Sequence, residues 1–109
     1  MENENNRSFK VATVNDLKTN CFSCEVDGWS ILILRHSDGS LTAIEDRCSH
    51  ADVPLSDGEF DPKLGKITCP AHGAEFCTRE GTALCMPAVA PVKIFSVKII
   101  GDEIWIAIP

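Results

Sequence analysis

The amino-acid sequence predicts an all-β fold, and two observations lead to this prediction. Short apolar or alternating segments are separated by the turn dipeptides Asp27-Gly28, Asp38-Gly39 and Gly101-Asp102. No stretch longer than about ten residues shows clean helical periodicity. A chain of short strands joined by tight turns is therefore expected.

Six strands are predicted in chain order. They cover residues 9–14, 24–26, 30–35, 41–44, 94–100 and 103–108. The first hairpin turns at Asp27-Gly28 and the last at Gly101-Asp102, where glycine comes first. A single helical turn is expected near residues 15–18, and residues 1–8 are expected to form a polar tail.

The composition of the chain limits the number of domains and the classes of partner that are expected. The chain has 109 residues, of which 44% are hydrophobic, so a single domain over residues 1–109 is expected. The formal net charge of −6 argues against a nucleic-acid or anionic-membrane partner, because both require a basic face. The acidity either serves solubility or steers the protein toward a basic patch on a partner protein.

The expected location is the cytoplasm. The start of the chain is polar and lacks a secretory signal, and the longest apolar run, residues 31–34, has the length of a strand. In a reducing compartment, the six cysteines are expected to be metal ligands or buried thiols rather than disulfides.

The middle of the chain differs from its ends. Residues 45–91 hold four of the six cysteines, two of the three histidines and five of the six prolines. The strands shorten here and the loops lengthen. This stretch is predicted to be a cluster-binding insert of two loops carried on the β framework.

Two short motifs carry the chemistry. They are Cys48-Ser49-His50 and Cys69-Pro70-Ala71-His72, with eighteen residues between His50 and Cys69. A zinc finger normally takes paired cysteines from one turn and paired histidines from a helix. Here each loop offers one thiolate and one imidazole, which favours a [2Fe–2S] cluster with two cysteine and two histidine ligands. Structural zinc held by the same four residues stays open as an alternative.

These motifs resemble the C-x-H and C-x-x-H-G loops of Rieske iron–sulfur proteins. The resemblance extends over nearly the whole chain, through Asp46-Arg47, Leu55-Ser56-Asp57-Gly58, Ala74-Glu75-Phe76, Thr78-Arg79-Glu80-Gly81, Ala83-Leu84-Cys85 and the closing hairpin over residues 93–108. It implies an antiparallel β sandwich or barrel framework. It also implies that Cys48 and Cys69 hold the buried iron and that His50 and His72 hold the outer iron.

The length of the chain resembles that of stand-alone Rieske ferredoxins. That resemblance implies a monomeric one-electron carrier between an NAD(P)H-linked reductase and a terminal oxygenase, with no catalytic residues of its own. It further implies docking by the tip that bears His50 and His72, with Arg47, Ala51, Asp52 and Pro87 at its rim. The alternatives are a small Rieske subunit of an assimilatory nitrite reductase and, from another class, a zinc-stabilised interaction module.

Four positions separate this chain from the respiratory branch of that family. Val53 and Ala71 stand where that branch has two cysteines joined as a disulfide, and Ala74 and Phe76 stand where it has hydroxyl side chains. These departures place the chain with the soluble ferredoxins.

The remaining candidate residues are expected to be structural. Cys21 and Cys24 form a C-x-x-C motif that would suit a redox pair or half of a zinc site, but ordinary thiols are favoured, as they are for Cys77 and Cys85. His36 is predicted to be a solvated turn residue. Trp29 and Trp105 are predicted to pack in the core or at its edge. The segment between Pro87 and Pro91 resembles the loop that covers one side of the cluster in Rieske proteins, and the same role is expected here.

Overall fold

The computed structural model contains two antiparallel sheets. It describes residues 7–17, 19–49, 53–71, 73–85 and 90–109, without the side chain of Cys85. The strands are β1 (Arg7–Thr13), β2 (Cys21–Val26), β3 (Trp29–Arg35), β4 (Leu41–Glu45), β5 (Glu59–Asp61), β6 (Lys66–Thr68), β7 (Glu75–Cys77), β8 (Ala83–Cys85), β9 (Ile94–Ile100) and β10 (Glu103–Ile108). Two 3-10 turns cover Val14–Asp16 and Leu55–Asp57. In the part of the chain described, no helix is long and apolar enough to span a bilayer.

The large sheet has the strand order β1-β10-β9-β4-β3-β2 and curls into a nearly closed barrel. Its two edge strands approach each other where the Arg7 guanidinium pairs with the Asp27 carboxylate. The small sheet has the order β5-β6-β7-β8. The predicted all-β class is therefore confirmed.

Strand boundaries agree with the prediction where turn residues fix them. The last hairpin has the predicted bounds, and Gly101 has a φ of +64°, as expected of a tight turn that begins with glycine. Asp27 and Gly28 have φ values of +51° and +86°, which identifies a type I′ turn. Strand β1 begins at Arg7, so Arg7 and Ser8 belong to the sheet and not to the tail, and β2 begins at Cys21, three residues before the predicted start.

Strand β3 is buried on both of its faces. Ile31 and Ile33 point into the core inside the large sheet, whereas Leu32 and Leu34 point into a second core against the small sheet. This explains why the strand is a continuous apolar run instead of an alternating pattern. Trp29 packs at the edge of the first core, where its ring meets that of Phe95 edge-on at 5.5 Å.

In chain order, the small sheet is inserted between β4 and β9, which are neighbouring strands of the large sheet. Strands β4 and β9 pair through Ala43 with Phe95 and Ile44 with Ile94, and the Glu45 amide donates to the Lys93 carbonyl at 2.8 Å. The chain therefore leaves the large sheet and returns to it at one place. Both cysteine-histidine motifs lie in the part between.

His36 joins the two sheets, which corrects the prediction of a solvated turn residue. Its side chain is 2% exposed, and its Nε2 lies 2.7 Å from the Thr78 hydroxyl just beyond β7. The His36 ring also meets the ring of Phe60 edge-on at 5.5 Å. Sequence reasoning missed this role because Thr78 is 42 residues away and no local pattern marks the pair.

Candidate functional site

Cys48 and Cys69 lie in the same core. Their exposures are 2% and 1%, and both belong to the packed group of side chains between the two sheets. Leu34, Ile44 and Phe76 belong to the same group. The fold thus brings together two thiols that are 21 residues apart in sequence and removes both from solvent.

Each cysteine begins a loop that closes on itself in the same way. The Cys48 amide donates to the Val53 carbonyl at 2.9 Å, and the Cys69 amide donates to the Ala74 carbonyl at 2.7 Å. The second loop is tightened by a bond from the Gly73 amide to the Cys69 carbonyl, at 3.1 Å. His50 and His72, the other two predicted ligands, lie within these loops and outside the described residues.

Glycine allows the region after the first loop to approach the second. A Cβ built on Gly58 would lie 1.8 Å from the Thr68 carbonyl oxygen and 3.2 Å from Cδ of Pro70. Gly58 follows the 3-10 turn Leu55–Asp57, and Thr68 directly precedes Cys69. No larger residue fits there without moving the backbone that leads into the second loop.

The residues beside the buried cysteines face solvent. Ser49, Pro70 and Ala71 are exposed. The Ser49 hydroxyl donates to the Ala90 carbonyl at 2.5 Å, which ties the first loop to the chain just before Pro91. Pro87 and most of the predicted covering segment lie outside the described residues, as do the predicted rim residues Ala51 and Asp52.

The positions that mark departures from the respiratory branch surround the cysteines. Ala74 and Phe76 are fully buried in the same core as Cys48 and Cys69, and Val53 packs against it. Neither Ala74 nor Phe76 can donate a side-chain hydrogen bond into this core.

Cys21 and Cys24 do not form a pair. They lie three residues apart in the extended strand β2, so their side chains point to opposite faces of the sheet. Cys21 packs against the core that holds Cys48, and Cys24 packs against the other core. Burial first, and the charge of Asp46 second, raise the pKa of each thiol. This orientation rules out the intramolecular redox pair and agrees with ordinary thiols, and Cys77 on β7 is likewise a free thiol.

The donors that the structure describes suit a thiolate-held metal group. Two buried cysteines on two closed loops could supply half of a four-ligand set, and the sequence of each loop contains one histidine that could supply a further ligand. Among the described residues, which do not include His50 and His72, no group of three or more His, Cys, Asp or Glu side chains could hold a metal ion.

Known proteins resemble this chain in sequence and in structure. Residues 7–96 match the family model described as the Rieske [2Fe-2S] domain. The ferredoxin subunit of 3-phenylpropionate/cinnamic acid dioxygenase from Photorhabdus laumondii subsp. laumondii is 39% identical over 77 residues, which cover 71% of this chain and 72% of the relative. The family match decides between an iron–sulfur cluster and zinc as the group that this chain binds, because a Rieske domain holds a [2Fe–2S] cluster.

Two solved structures share the fold. The ferredoxin of carbazole 1,9a-dioxygenase from Nocardioides aromaticivorans IC177 superimposes with a TM-score of 0.85 at 35% identity, covering 91% of this chain and 95% of the other. A chain from the complex of reduced oxygenase and oxidized ferredoxin in carbazole 1,9a-dioxygenase superimposes with a TM-score of 0.81 at 27% identity, covering 92% of each chain. From the two closed loops and these matches we conclude that the chain belongs to the Rieske [2Fe–2S] domain family, binds one [2Fe–2S] cluster and acts as a ferredoxin, that is, as an electron carrier.

Proposed function

We propose that Cys48, His50, Cys69 and His72 hold the cluster in this chain. The observation that carries the proposal is the matched pair of loops, each closed by the amide of its own buried cysteine. Each loop places its histidine two or three residues after the cysteine. One thiolate and one imidazole from each loop complete the set that a Rieske centre requires.

The protein around these loops serves electron transfer. The bound group supplies one-electron oxidation and reduction. The core residues bury the two cysteine sulfurs and exclude water from them, whereas Ser49, Pro70 and Ala71 keep the outer side of both loops at the surface. A partner protein can therefore approach the exposed side of the loops closely.

The proposed partners are an NAD(P)H-linked reductase, which supplies electrons, and the terminal oxygenase of an aromatic-ring dioxygenase system, which consumes them. Relatives named as dioxygenase ferredoxin subunits support this choice over the small subunit of a nitrite reductase. The complex of a similar ferredoxin with its oxygenase supports the second partner. We further infer one Rieske domain over residues 1–109, with its insert near residues 45–91, acting as a monomer in the cytoplasm.

The ligand set is tested by substitution. Cys48→Ser, Cys69→Ser, His50→Ala and His72→Ala should each abolish or severely reduce the cluster, measured as iron, acid-labile sulfide and the visible spectrum. Wild-type protein should hold two irons and two sulfides per chain. The matched controls Cys21→Ala, Cys24→Ala, Cys77→Ala and Cys85→Ala should keep the wild-type spectrum. Loss of the cluster in a folded control variant would show that the ligand set is wrong.

The partner is tested by reconstitution. The reduced protein should transfer electrons to an aromatic-ring oxygenase and support product formation when an NAD(P)H-linked reductase is present. Transfer to an assimilatory nitrite reductase, with none to any such oxygenase, would favour the other subunit role.

A further inference from the structure

Asp46 is a buried acidic residue two positions before Cys48, where the first cysteine loop begins. Its side chain is 9% exposed, and its Oδ1 accepts a hydrogen bond from the Ser56 amide at 2.7 Å. Ser56 lies on the other side of the loop, in the turn Leu55–Asp57. This bond therefore joins the two ends of the loop that begins at Cys48.

Both ends of this connection are fixed to the rest of the protein. The Asp46 amide donates to the Ser30 carbonyl of β3 at 2.8 Å, next to the bond between the Glu45 amide and the Lys93 carbonyl. On the other side, Leu55 is fully buried in the core that contains Cys48 and Cys69. The carboxylate thus links a strand of the large sheet to a turn that is anchored in the core.

The turn lacks a cap of its own. The residue at its N-cap position is Pro54, which has no polar side chain and makes no side-chain capping bond. Asp46 supplies the missing acceptor from ten residues earlier in the chain. A carboxylate that accepts from an amide in the first turn of a helix is the interaction a good capping residue provides.

We propose that Asp46 is the positioning residue of the first ligand loop and that its charge lowers the reduction potential of the centre. This inference rests on the proposed ligand set, through Cys48 and His50. The Cys48 amide and the Val53 carbonyl already close the loop. The Asp46 carboxylate adds a second bond between the flanking residues on either side of that closure. A buried negative charge two residues before Cys48 also opposes the addition of an electron to the centre.

The charge of Asp46 also acts on a thiol that packs against the same core. After burial, Asp46 is the second cause that raises the pKa of the Cys21 thiol, and Cys21 packs against the core that holds Cys48 and Cys69. The same charge acts on Cys24 across the sheet. Asp46 therefore makes negative charge less favourable on the two thiols of β2.

Two substitutions separate the hydrogen bond from the charge. Asp46→Asn keeps an oxygen acceptor and removes the charge, whereas Asp46→Ala removes both. In holoprotein, Asp46→Ala should lose its cluster to a chelator about tenfold faster than wild type or more. Asp46→Asn should lose it at a rate much closer to that of wild type, and its midpoint potential should shift upward.

The matched controls are at Asp61 and Ser56. Oδ1 of Asp61 accepts from the Lys63 and Leu64 amides at 3.0 and 2.9 Å, at the far end of the β5–β6 hairpin. Asp61→Ala and Asp61→Asn should leave both cluster loss and potential unchanged. Ser56→Ala should do the same, since the bond to Asp46 uses the Ser56 backbone.

Several results would overturn the proposal. They are wild-type cluster retention in Asp46→Ala, equally fast loss in Asp46→Asn and Asp46→Ala, or an unchanged or lowered midpoint in Asp46→Asn. If Asp46→Ala fails to fold, as judged by circular dichroism, the Asp46→Asn potential still decides whether the charge acts on the centre. A wild-type protein without a cluster would instead contradict the proposed ligand set.

Discussion

The Nε2 atom of His36 lies 2.7 Å from the hydroxyl oxygen of Thr78 and joins the large sheet to the small one. The other ring nitrogen, Nδ1, lies 3.3 Å from the Ser40 carbonyl, which can only accept. Nδ1 therefore carries the proton, and Nε2 accepts from the Thr78 hydroxyl. Both side chains are buried, so this bond holds the insert, which contains the two cysteine loops, against the barrel.

Thr78→Val removes the hydroxyl and nearly preserves the shape of the side chain. The buried His36 nitrogen then loses its donor, and the free energy of unfolding should fall by about 1–3 kcal/mol. Urea denaturation measures this change. Thr82→Val, at an exposed position on the same segment, is the control and should stay within about 0.5 kcal/mol of wild type. Equal effects of the two substitutions would contradict a structural role for the Thr78 hydroxyl.

The stability of the protein should fall in mild acid because of His36. Burial is the main cause that lowers the pKa of His36, and it outweighs the hydrogen bond with the Ser40 backbone, which raises that pKa; the smaller effects of Arg79 and Asp38 oppose each other. His36 therefore binds a proton more readily in the unfolded chain than in the folded one. The free energy of unfolding is highest above about pH 6.5, where His36 is neutral in both states, and it decreases as the pH falls below that value. Wild type should lose more unfolding free energy between pH 7.5 and pH 5.5 than His36→Gln. The same loss in both proteins would assign the effect to other groups.

Gly58→Ala should damage both the fold and the site. The backbone of Gly58 is extended, so the obstacle is the Thr68 carbonyl oxygen, 1.8 Å from the new Cβ. The backbone that leads to Cys69 must move to remove this clash. We expect the free energy of unfolding to fall by about 3 kcal/mol or more and the cluster absorbance to be lost. Gly39→Ala is the contrasting control, because its φ is +89° but no atom lies within 4 Å of the new Cβ. Gly39→Ala should lower the free energy of unfolding by only about 1–2 kcal/mol, and the variant should keep the cluster.

The midpoint potential should lie near the low end of the Rieske range, at roughly −150 mV. Ala74 and Phe76 are fully buried beside the two cysteines and offer no hydroxyl donor. If a donor aimed at the cluster strengthens by about 1–2 kcal/mol on reduction, Ala74→Ser and Phe76→Tyr should each raise the midpoint by about 40–90 mV.

Ala107→Ser on β10 is the control for this redox titration and should leave the midpoint unchanged. A wild-type midpoint well above zero would refute placement with the soluble ferredoxins. Folded variants at positions 74 and 76 without any upward shift would refute the hydrogen-bond explanation.

Electron transfer to the partner should depend on salt. Asp57 and Glu59 are exposed beside an open cleft of about 420 Å³ that reaches Cys69 and Pro70 at the second loop. Because exposed charges steer encounter, the rate should fall as ionic strength rises. Asp57→Lys and Asp52→Lys should slow transfer about threefold or more at low salt. Glu25→Lys, on β2 of the large sheet, makes the same change in net charge and should have a smaller effect.

Rates that ignore both salt and charge reversal would contradict docking by this end of the molecule. Equal slowing by Glu25→Lys and Asp57→Lys would show that only the net charge of the protein matters.

Local sequence was enough to predict several features. The hairpin over residues 94–108 has the predicted bounds because its turn needs a positive φ at Gly101, and the neighbouring strand residues alternate around that turn. The two loops were recognised from closely spaced cysteine and histidine residues. Such features depend on a few adjacent residues, so their physical cause is contained in a short stretch of sequence.

Contacts between distant residues needed the tertiary structure. The apolar run of β3 predicts a strand, but only the two sheets show that Ile33 and Leu34 enter different cores. The C-x-x-C motif does not by itself show where the side chains of Cys21 and Cys24 point. Their opposite directions follow only from the extended strand β2, which includes both residues.

The sequence by itself determined the all-β class, the tight turns and the two loops that carry the candidate ligands. Only the tertiary structure decided that His36 is buried against Thr78 and that Asp46 caps the turn at Ser56. The physical reason is that a buried polar group requires a partner, and any nearby chain segment can supply one. Which segment comes near depends on how the two sheets pack, a property of the whole chain.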